Sequence, residues 1–131
     1  MQSMIRVHTF IRYCGLQLKE AEVALQEERH DICFHRIADA GDSLLKSLAA
    51  ALPTVRQDFF SMDEKAIARH TADLAPNPSV ATEAASLISS IRKLRQDMPA
   101  VHEPDTKLKA EKAYSDADRA YQIIQEFFDM G

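Results

Sequence analysis

The chain has 131 residues, of which 16 are basic and 20 acidic, giving a formal net charge of −4. A chain of this size buries roughly two thirds of the surface that its unfolded form exposes, so folding requires neither a disulfide nor a metal. The charge lacks the basic excess typical of a nucleic-acid surface, although it leaves room for a local basic patch. Helix-favouring residues are plentiful and strand-favouring runs are missing. Residues 1–131 are therefore predicted to form one all-α domain.

Patterns along the chain argue against a membrane protein, a secreted protein and a metal scaffold. No apolar run approaches the roughly 20 residues that span a bilayer. The start, MQSMIRVHTFIR, carries polar residues throughout and does not read as a signal peptide. We therefore expect a cytoplasmic protein with no membrane partner. Cys14 and Cys33 are too few and too far apart for a disulfide framework or a zinc site, and we expect reduced thiols in or near the core.

Apolar residues at spacings of three and four predict the first two helices, over residues 3–28 and 31–52. The inner stripe of the first helix includes Ile5, and Asp31 is the expected cap of the second. Gly15 indicates either a close approach by a neighbouring helix or a slight break, and Gly41 indicates a packing requirement in mid-helix.

Three further helices are predicted in the second half of the chain. Ser61 and the glutamate three residues later have capping-box spacing, which predicts a short helix over residues 62–74. Asn77 as cap and proline at the first helical position open a helix that runs to residue 97. The last helix covers 105–129, with Leu108 on its inner side. Four main helices and one short one, joined by short connections, predict an up-and-down bundle of antiparallel helices.

Two of these helices carry a pattern of residue types beyond amphipathicity. The second helix contains CFHRIADAGDSLLKSLAAAL, and the last contains KAEKAYSDADRAYQIIQEFF, with recurring alanines and aromatics before a final apolar pair. Both helices resemble those of the HEPN family, and the resemblance covers most of the chain in layout. In the second helix it rests on a small pair, an acid, leucines and a lysine: Ala40, Gly41, Asp42, Leu45, Lys46 and Leu48.

The resemblance implies a helical module that is often paired with a small nucleotidyltransferase, and it points to one candidate site. Some members of the family are ribonuclease toxins marked by an arginine, four to six residues and then a histidine. The stretch RQDMPAVH runs from Arg95 to His102 with six residues between them. It departs from the family pattern at Pro99, which interrupts the helix, and non-toxin relatives also have an arginine followed shortly by proline at this bend.

The pair Arg95 and His102 therefore has two interpretations. In a metal-independent ribonuclease, His102 would act as base or acid at the ribose and Arg95 would hold the scissile phosphate, with a homodimer bringing two such pairs into one cleft. In the other interpretation, Arg95 stabilises the end of a helix through its dipole and His102 lies in a solvated turn.

Other charged residues also have a functional and a structural interpretation. Asp42 and Lys46 are four residues apart, which fits a surface ion pair contributing about 0.3–0.5 kcal/mol, or a polar patch that binds a ligand or partner. Glu27 and His30 have the spacing of di-iron bundles, but a second copy of that motif is missing, so neither a metal nor another cofactor is expected.

Two functional hypotheses follow from these patterns. The first is a non-catalytic, HEPN-like module that forms a homodimer and binds nucleotide, RNA or a minimal nucleotidyltransferase. The second is a toxin-type ribonuclease that uses Arg95 and His102. The acidic net charge favours the first hypothesis, and the arginine–histidine spacing favours the second.

Overall fold

The computed structural model describes residues 2–52, 61, 63–74, 77–99 and 103–128. This part of the chain forms helices without strands, which confirms the predicted all-α bundle. None of the described helices combines the length and the apolarity needed to cross a membrane. The helices are α1 (Gln2–Gln26), α2 (His30–Ala51), the short α3 (Glu64–Thr71), α4 (Pro78–Lys93) and α5 (Thr106–Phe127).

The first, second and fourth helices run antiparallel to their neighbours. A turn of residues 27–29 reverses the chain between α1 and α2. Where α2 meets α4, Arg95 donates to Asp39 and Arg92 donates to Asp42. Asp42 comes after Asp39 in the sequence, whereas Arg92 comes before Arg95. Because the order of contacts is reversed, α2 and α4 are antiparallel, and their contact is called the α2–α4 seam below.

The last helix completes the bundle by packing against both α4 and α1. Gly15 lies against Tyr121, and Glu22, later in α1, accepts a hydrogen bond from Tyr114, earlier in α5. The order is again reversed, so α1 and α5 are antiparallel. The start of α1 and the end of α5 therefore lie at the same end of the bundle.

The core is one cluster of buried apolar side chains to which all five helices contribute. Phe34 and Ile88 are fully buried in it. Cys14 and Cys33 are buried free thiols, as expected, and burial raises the pKa of Cys33 to about 11. A thiol in such a site stays protonated and unreactive.

Both glycines of the first two helices mark tight helix contacts. For Gly15 this is the first of the two alternatives, a close approach by a neighbouring helix, and for Gly41 it is the expected packing requirement. A Cβ atom at Gly15 would lie 2.6 Å from the hydroxyl oxygen of Tyr121. At Gly41 it would lie 2.8 Å from Cγ1 of Ile91 and 3.0 Å from Cγ of Arg92. Since real Cβ contacts are longer, a side chain at Gly15 would force Tyr121 of α5 to move, and one at Gly41 would force Ile91 of α4 to move.

Helix starts were only partly predictable. Asn77 caps α4 as expected, since its Oδ1 atom accepts from the backbone N–H of Val80 at 3.0 Å, and proline follows it. The predicted cap Asp31 is wrong, because α2 begins at His30 and places Asp31 in its first turn. A carboxylate there still stabilises the helix through the dipole.

The prediction for Ser61 is also wrong. Asp63 caps α3 instead, and its Oδ1 atom accepts from the backbone N–H of Ala66 at 2.8 Å. Ser61 lies before the helix, which begins at Glu64, so the capping-box glutamate is the first residue of α3. Aspartate is as good a cap as serine, and it stands nearer to the first apolar position.

The fourth helix is shorter than predicted. It ends at Lys93, and residues 94–96 form a turn in which the N–H of Arg95 donates to the carbonyl of Arg92 at 3.2 Å. Tight bonds of this type are common in the last turn of a helix. Pro99 follows closely, and a proline cannot continue a helix.

Two apolar residues predicted to face inward are exposed. Ile5 is 67% exposed and Leu108 is 69% exposed. In α1, the buried positions include Val7, Ile11 and Leu18, and Ile5 is on the opposite side of the helix. Both helices carry apolar residues on more than one face, so spacing alone does not identify the buried one.

Candidate functional site

The acid predicted to bind a ligand or partner, Asp42, accepts bonds from two arginines. Its Oδ1 atom accepts from Nε of Arg92 at 2.9 Å, and its Oδ2 atom is 3.1 Å from Nη2 of Arg95. The Asp42 side chain is 26% exposed, so these pairs are partly shielded from water. Both predicted site residues on this side of the bundle, Asp42 and Arg95, are thus in direct contact.

The two bonds belong to a longer series of ion pairs. Nη2 of Arg95 also lies 2.6 Å from Oδ1 of Asp39. Asp39 is 3.1 Å from Arg36, which is 2.7 Å from Glu20 of α1. The series contains three carboxylates and three guanidinium groups, whose formal charges cancel. We refer to it as the arginine–carboxylate cluster: Glu20, Arg36, Asp39, Asp42, Arg92 and Arg95.

Lys46 lies outside this cluster. The ion pairs of Asp42 go to arginines of the second half of the chain, and the Lys46 ammonium is 6.0 Å from the ring centre of Phe10 in α1. That distance is the outer limit of a cation–π contact. The spacing predicted a surface ion pair between Asp42 and Lys46, and this prediction is wrong. An arginine competes better for the carboxylate, because its guanidinium can donate two parallel hydrogen bonds.

The other half of the predicted catalytic pair, His102, lies outside the described residues. Arg95 is described, and its guanidinium faces Asp39 and Asp42 of α2. A phosphate approaching Arg95 would meet two carboxylates beside the guanidinium, which weakens the local attraction for an anion.

A groove of about 220 Å³ adjoins the bend at the end of α4. Phe34, Leu94 and Pro99 contribute apolar walls, and Lys109 and Lys112 stand at its rim. Each lysine already has a carboxylate partner: Lys109 is 3.0 Å from a Glu103 oxygen and Lys112 is 2.9 Å from Asp116. The hydrogen bond to Glu103 raises the pKa of Lys109. The positive charges of both lysines are thus compensated by carboxylates, as are those of the arginines in the arginine–carboxylate cluster.

A wider groove of about 610 Å³ separates α1 from α5. Arg12 and Lys19 line it from α1, and Tyr114 and Tyr121 line it from α5. Burial and the hydrogen bond to Glu22 raise the pKa of Tyr114 to about 12.

Metal chemistry has no support in the described part of the chain. It contains no group of three histidine, cysteine or acidic side chains arranged to hold an ion. Glu27, the acid of the di-iron-like spacing, is 3.5 Å from Nε of Arg29.

Sequence reasoning missed a feature on the solvent side of α1. Ile5, Tyr13, Leu16 and Val23 are each at least half exposed and lie opposite the buried stripe of the helix. Leu16 follows Ile5 by 11 residues and Val23 follows Leu16 by 7 residues. Both separations are close to whole numbers of helical turns, so the three residues lie on one side of the helix. We define the outer face of α1 by these four residues. The sequence signal for it was a second stripe of apolar residues, which repeats with the same helical period as the buried stripe.

Two arginines of α1 accompany this outer face. Arg6 and Arg12 are exposed, and neither forms an ion pair with another residue in the described ranges. In this respect they differ from the three arginines of the arginine–carboxylate cluster.

Comparisons with models of protein families, with curated proteins and with solved structures found no match for this chain.

Proposed function

We propose that this chain is a HEPN-like helical module without catalytic activity, which forms a homodimer and binds a minimal nucleotidyltransferase, a nucleotide or RNA. The proposal rests on the resemblance of the second and last helices and on the charge environment of Arg95. It assigns Asp42 and Arg95 to the structure of the bundle rather than to catalysis.

The observation that carries the absence of catalysis is the pair of carboxylates on Arg95. A ribonuclease arginine must meet a phosphate while its own charge is uncompensated, since it stabilises the developing negative charge. Here Asp39 and Asp42 lie 2.6 and 3.1 Å from Nη2 of Arg95, and these carboxylates compensate its charge in place of a phosphate. Displacing them would leave Asp39 with Arg36 alone and Asp42 with Arg92 alone, so two partly buried carboxylates would each lose one of their two guanidinium partners.

The same charges favour a protein partner over RNA. The chain is acidic overall, and the two lysines that line the groove at the bend, Lys109 and Lys112, are paired with carboxylates. RNA binding gains most of its affinity from lysines and arginines that are free to neutralise phosphates. A nucleotidyltransferase, whose surface presents side chains of both signs, does not require such an excess.

The nuclease hypothesis is tested by incubating single-stranded RNA with the purified protein in EDTA. The wild type is compared with the His102→Ala and Arg95→Ala variants and with Arg69→Ala, a control at an exposed arginine of α3. We expect no cleavage above the buffer blank with any of the four proteins. Equal cleavage by all four would come from a contaminant and supports the same conclusion.

Cleavage by the wild type and Arg69→Ala that is lost in both other variants would contradict the proposal and establish the ribonuclease. The homodimer is tested separately by sedimentation equilibrium, where we expect twice the 14.7 kDa mass of one chain. A monomer at all concentrations would remove that part of the proposal.

A further inference from the structure

We infer that the outer face of α1 binds the same face of a second copy of this chain, with the two helices antiparallel around a two-fold axis. This inference rests on the proposed homodimer and names its surface, which is distant in sequence from the bend that carries Arg95 and His102. Three properties of the face support it: its apolar content, its charge distribution and its size.

Exposed apolar side chains are concentrated on α1. Of the seven large hydrophobic residues that are exposed in the described ranges, five lie on this helix: Met4, Ile5, Tyr13, Leu16 and Val23. Single exposed apolar residues are ordinary, but a row of them along one helix is typical of a surface that another protein covers. Tyrosine and methionine are moreover enriched at interface centres.

The charges of α1 are divided between its two halves. Residues 2–13 carry Arg6 and Arg12 and no carboxylate, whereas residues 16–26 carry Glu20, Glu22 and one lysine. This order opposes the helix dipole, which favours anions near the start of a helix and cations near its end. Isolated, α1 is therefore poorly arranged electrostatically.

An antiparallel copy corrects this arrangement. It places Arg6 and Arg12 of each helix beside the half of the other helix that carries Glu20 and Glu22, and the two dipoles oppose each other. Glu20 is paired with Arg36 and Glu22 accepts from Tyr114 within one chain, so each carboxylate would be shared with an arginine of the second copy. A parallel copy would place arginines beside arginines. Because Arg6 and Arg12 form no ion pair with the described residues of their own chain, they are available for this contact. The face is thus complementary to itself under a two-fold rotation.

The positions of the apolar residues define where the axis passes. Ile5 and Val23 each lie nine residues from residue 14. If the two-fold axis passes at the level of residue 14, Ile5 of one copy lies opposite Val23 of the other. The Leu16 side chains of the two copies then meet next to the axis. Each end of the interface pairs Ile5 of one copy with Val23 of the other, so apolar contact continues along the whole helix.

The face is large enough for a stable dimer. The 25 residues of α1 extend about 37 Å at about 1.5 Å per residue. Together with the adjoining half of each neighbouring helix, the strip is about 20 Å wide, since packed helices lie about 10 Å apart. Its area of roughly 740 Å² is close to the roughly 800 Å² that each partner buries in an interface of standard size.

Cysteine cross-linking tests the orientation. We would compare Ile5→Cys, Val23→Cys and the double variant under mild oxidation and with a short bis-maleimide, using non-reducing gels. The double variant should form covalent dimers, and the two single variants should not, because equivalent residues lie about 27 Å apart in an antiparallel pair. The wild type is the control, as its two cysteines are buried.

A charge substitution tests the surface independently. Leu16→Glu should weaken the dimer at least tenfold in sedimentation, while Leu108→Glu, at an even more exposed apolar position on α5, should leave it unchanged. Both substitutions are at exposed positions, so circular dichroism and the urea midpoint of the monomer should match those of the wild type.

The outcomes separate this inference from the proposed function. A wild-type dimer that resists Leu16→Glu and shows no cross-link in the double variant would overturn the surface and leave the homodimer in place. Cross-linking of the single variants instead would establish a parallel pair and overturn the antiparallel one. A wild-type monomer would overturn both claims of pairing, and RNA cleavage would contradict only the absence of catalysis.

Discussion

The α2–α4 seam and the outer face of α1 both carry arginines, but their surroundings differ. At the seam, Arg92 and Arg95 each lie within 3.1 Å of a carboxylate oxygen. On α1, Arg6 and Arg12 form no such pair within the described ranges and stand beside exposed apolar side chains. The arginine–histidine motif begins at the seam, where both arginines are paired, whereas Arg6 and Arg12 of α1 have no ion pair with the described residues. The availability of an arginine thus depends on its neighbours rather than on its spacing to a histidine.

The largest effect that distinguishes the two regions is expected at Gly41. Replacing it with leucine places a side chain where a Cβ alone would be 2.8 Å from Ile91. Helices α2 and α4 must separate, and we expect a loss of about 3 kcal/mol in the free energy of unfolding. Urea denaturation at a fixed protein concentration measures it. Arg12→Leu on the outer face of α1 should change stability by less than about 0.5 kcal/mol. Equal effects of the two substitutions would show that the seam is not tightly packed.

A smaller effect is expected when the arginine–carboxylate cluster loses Asp42. The Asp42→Ala variant leaves Arg92 and Arg95 without the acceptor they share, and Arg92 is only partly exposed. We expect a loss of about 1.5 kcal/mol, since hydrogen bonds to charged groups contribute more than neutral ones. The matched control is Asp116→Ala, which removes a pair with the highly exposed Lys112 and should cost less than about 0.5 kcal/mol. A cost for Asp42→Ala no larger than for Asp116→Ala would contradict a structural role for the cluster.

The smallest effect concerns Tyr114, at the border between α5 and α1. Its pKa is raised from 10.0 to about 12, because it is partly buried and donates to Glu22. The folded protein holds the phenolic proton more tightly than the unfolded chain does. The resulting stabilisation is complete below pH 10 and is lost as the pH rises towards about 12.

The Tyr114→Phe variant should therefore lose less stability than the wild type between these pH values. Urea midpoints measured at several alkaline pH values give the two slopes, and absorbance of the phenolate follows the titration itself. Tyr13→Phe, on the outer face of α1, serves as the control and should retain the wild-type slope. Identical slopes for the wild type and Tyr114→Phe would disprove a tight contact between α1 and α5 at this position.

Much of the fold was predictable because its signals are local. Asn77 followed by proline specifies a helix start within four residues, and the proline at position 99 limits where α4 ends. Gly15 and Gly41 indicated close contacts, since glycine within a helix is unfavourable unless packing requires it. Apolar spacing identified the helices but placed Ile5 inside, because α1 has apolar residues on two opposite faces.

The arrangement of charges was not predictable in the same way. The bond between Arg95 and Asp39 joins residues 56 positions apart, and that between Arg92 and Asp42 joins residues 50 apart. Spacing rules describe neighbours on one helix, so they paired Asp42 with Lys46. Only the packing of α2 on α4 brings the arginines to Asp42, and that packing depends on the whole core.

The antiparallel order of α1 and α5 has a practical consequence for rearranging the chain. Since the start of α1 and the end of α5 lie at one end of the bundle, a flexible linker can join them without crossing the molecule. New ends would then open in the exposed turn at residues 27–29, where Glu28 has a φ of 61° and no helix is interrupted. A circular permutant of this design should fold like the parent chain. It would also move both ends to the opposite pole, where fluorescent labels would report the relative orientation of two associated copies.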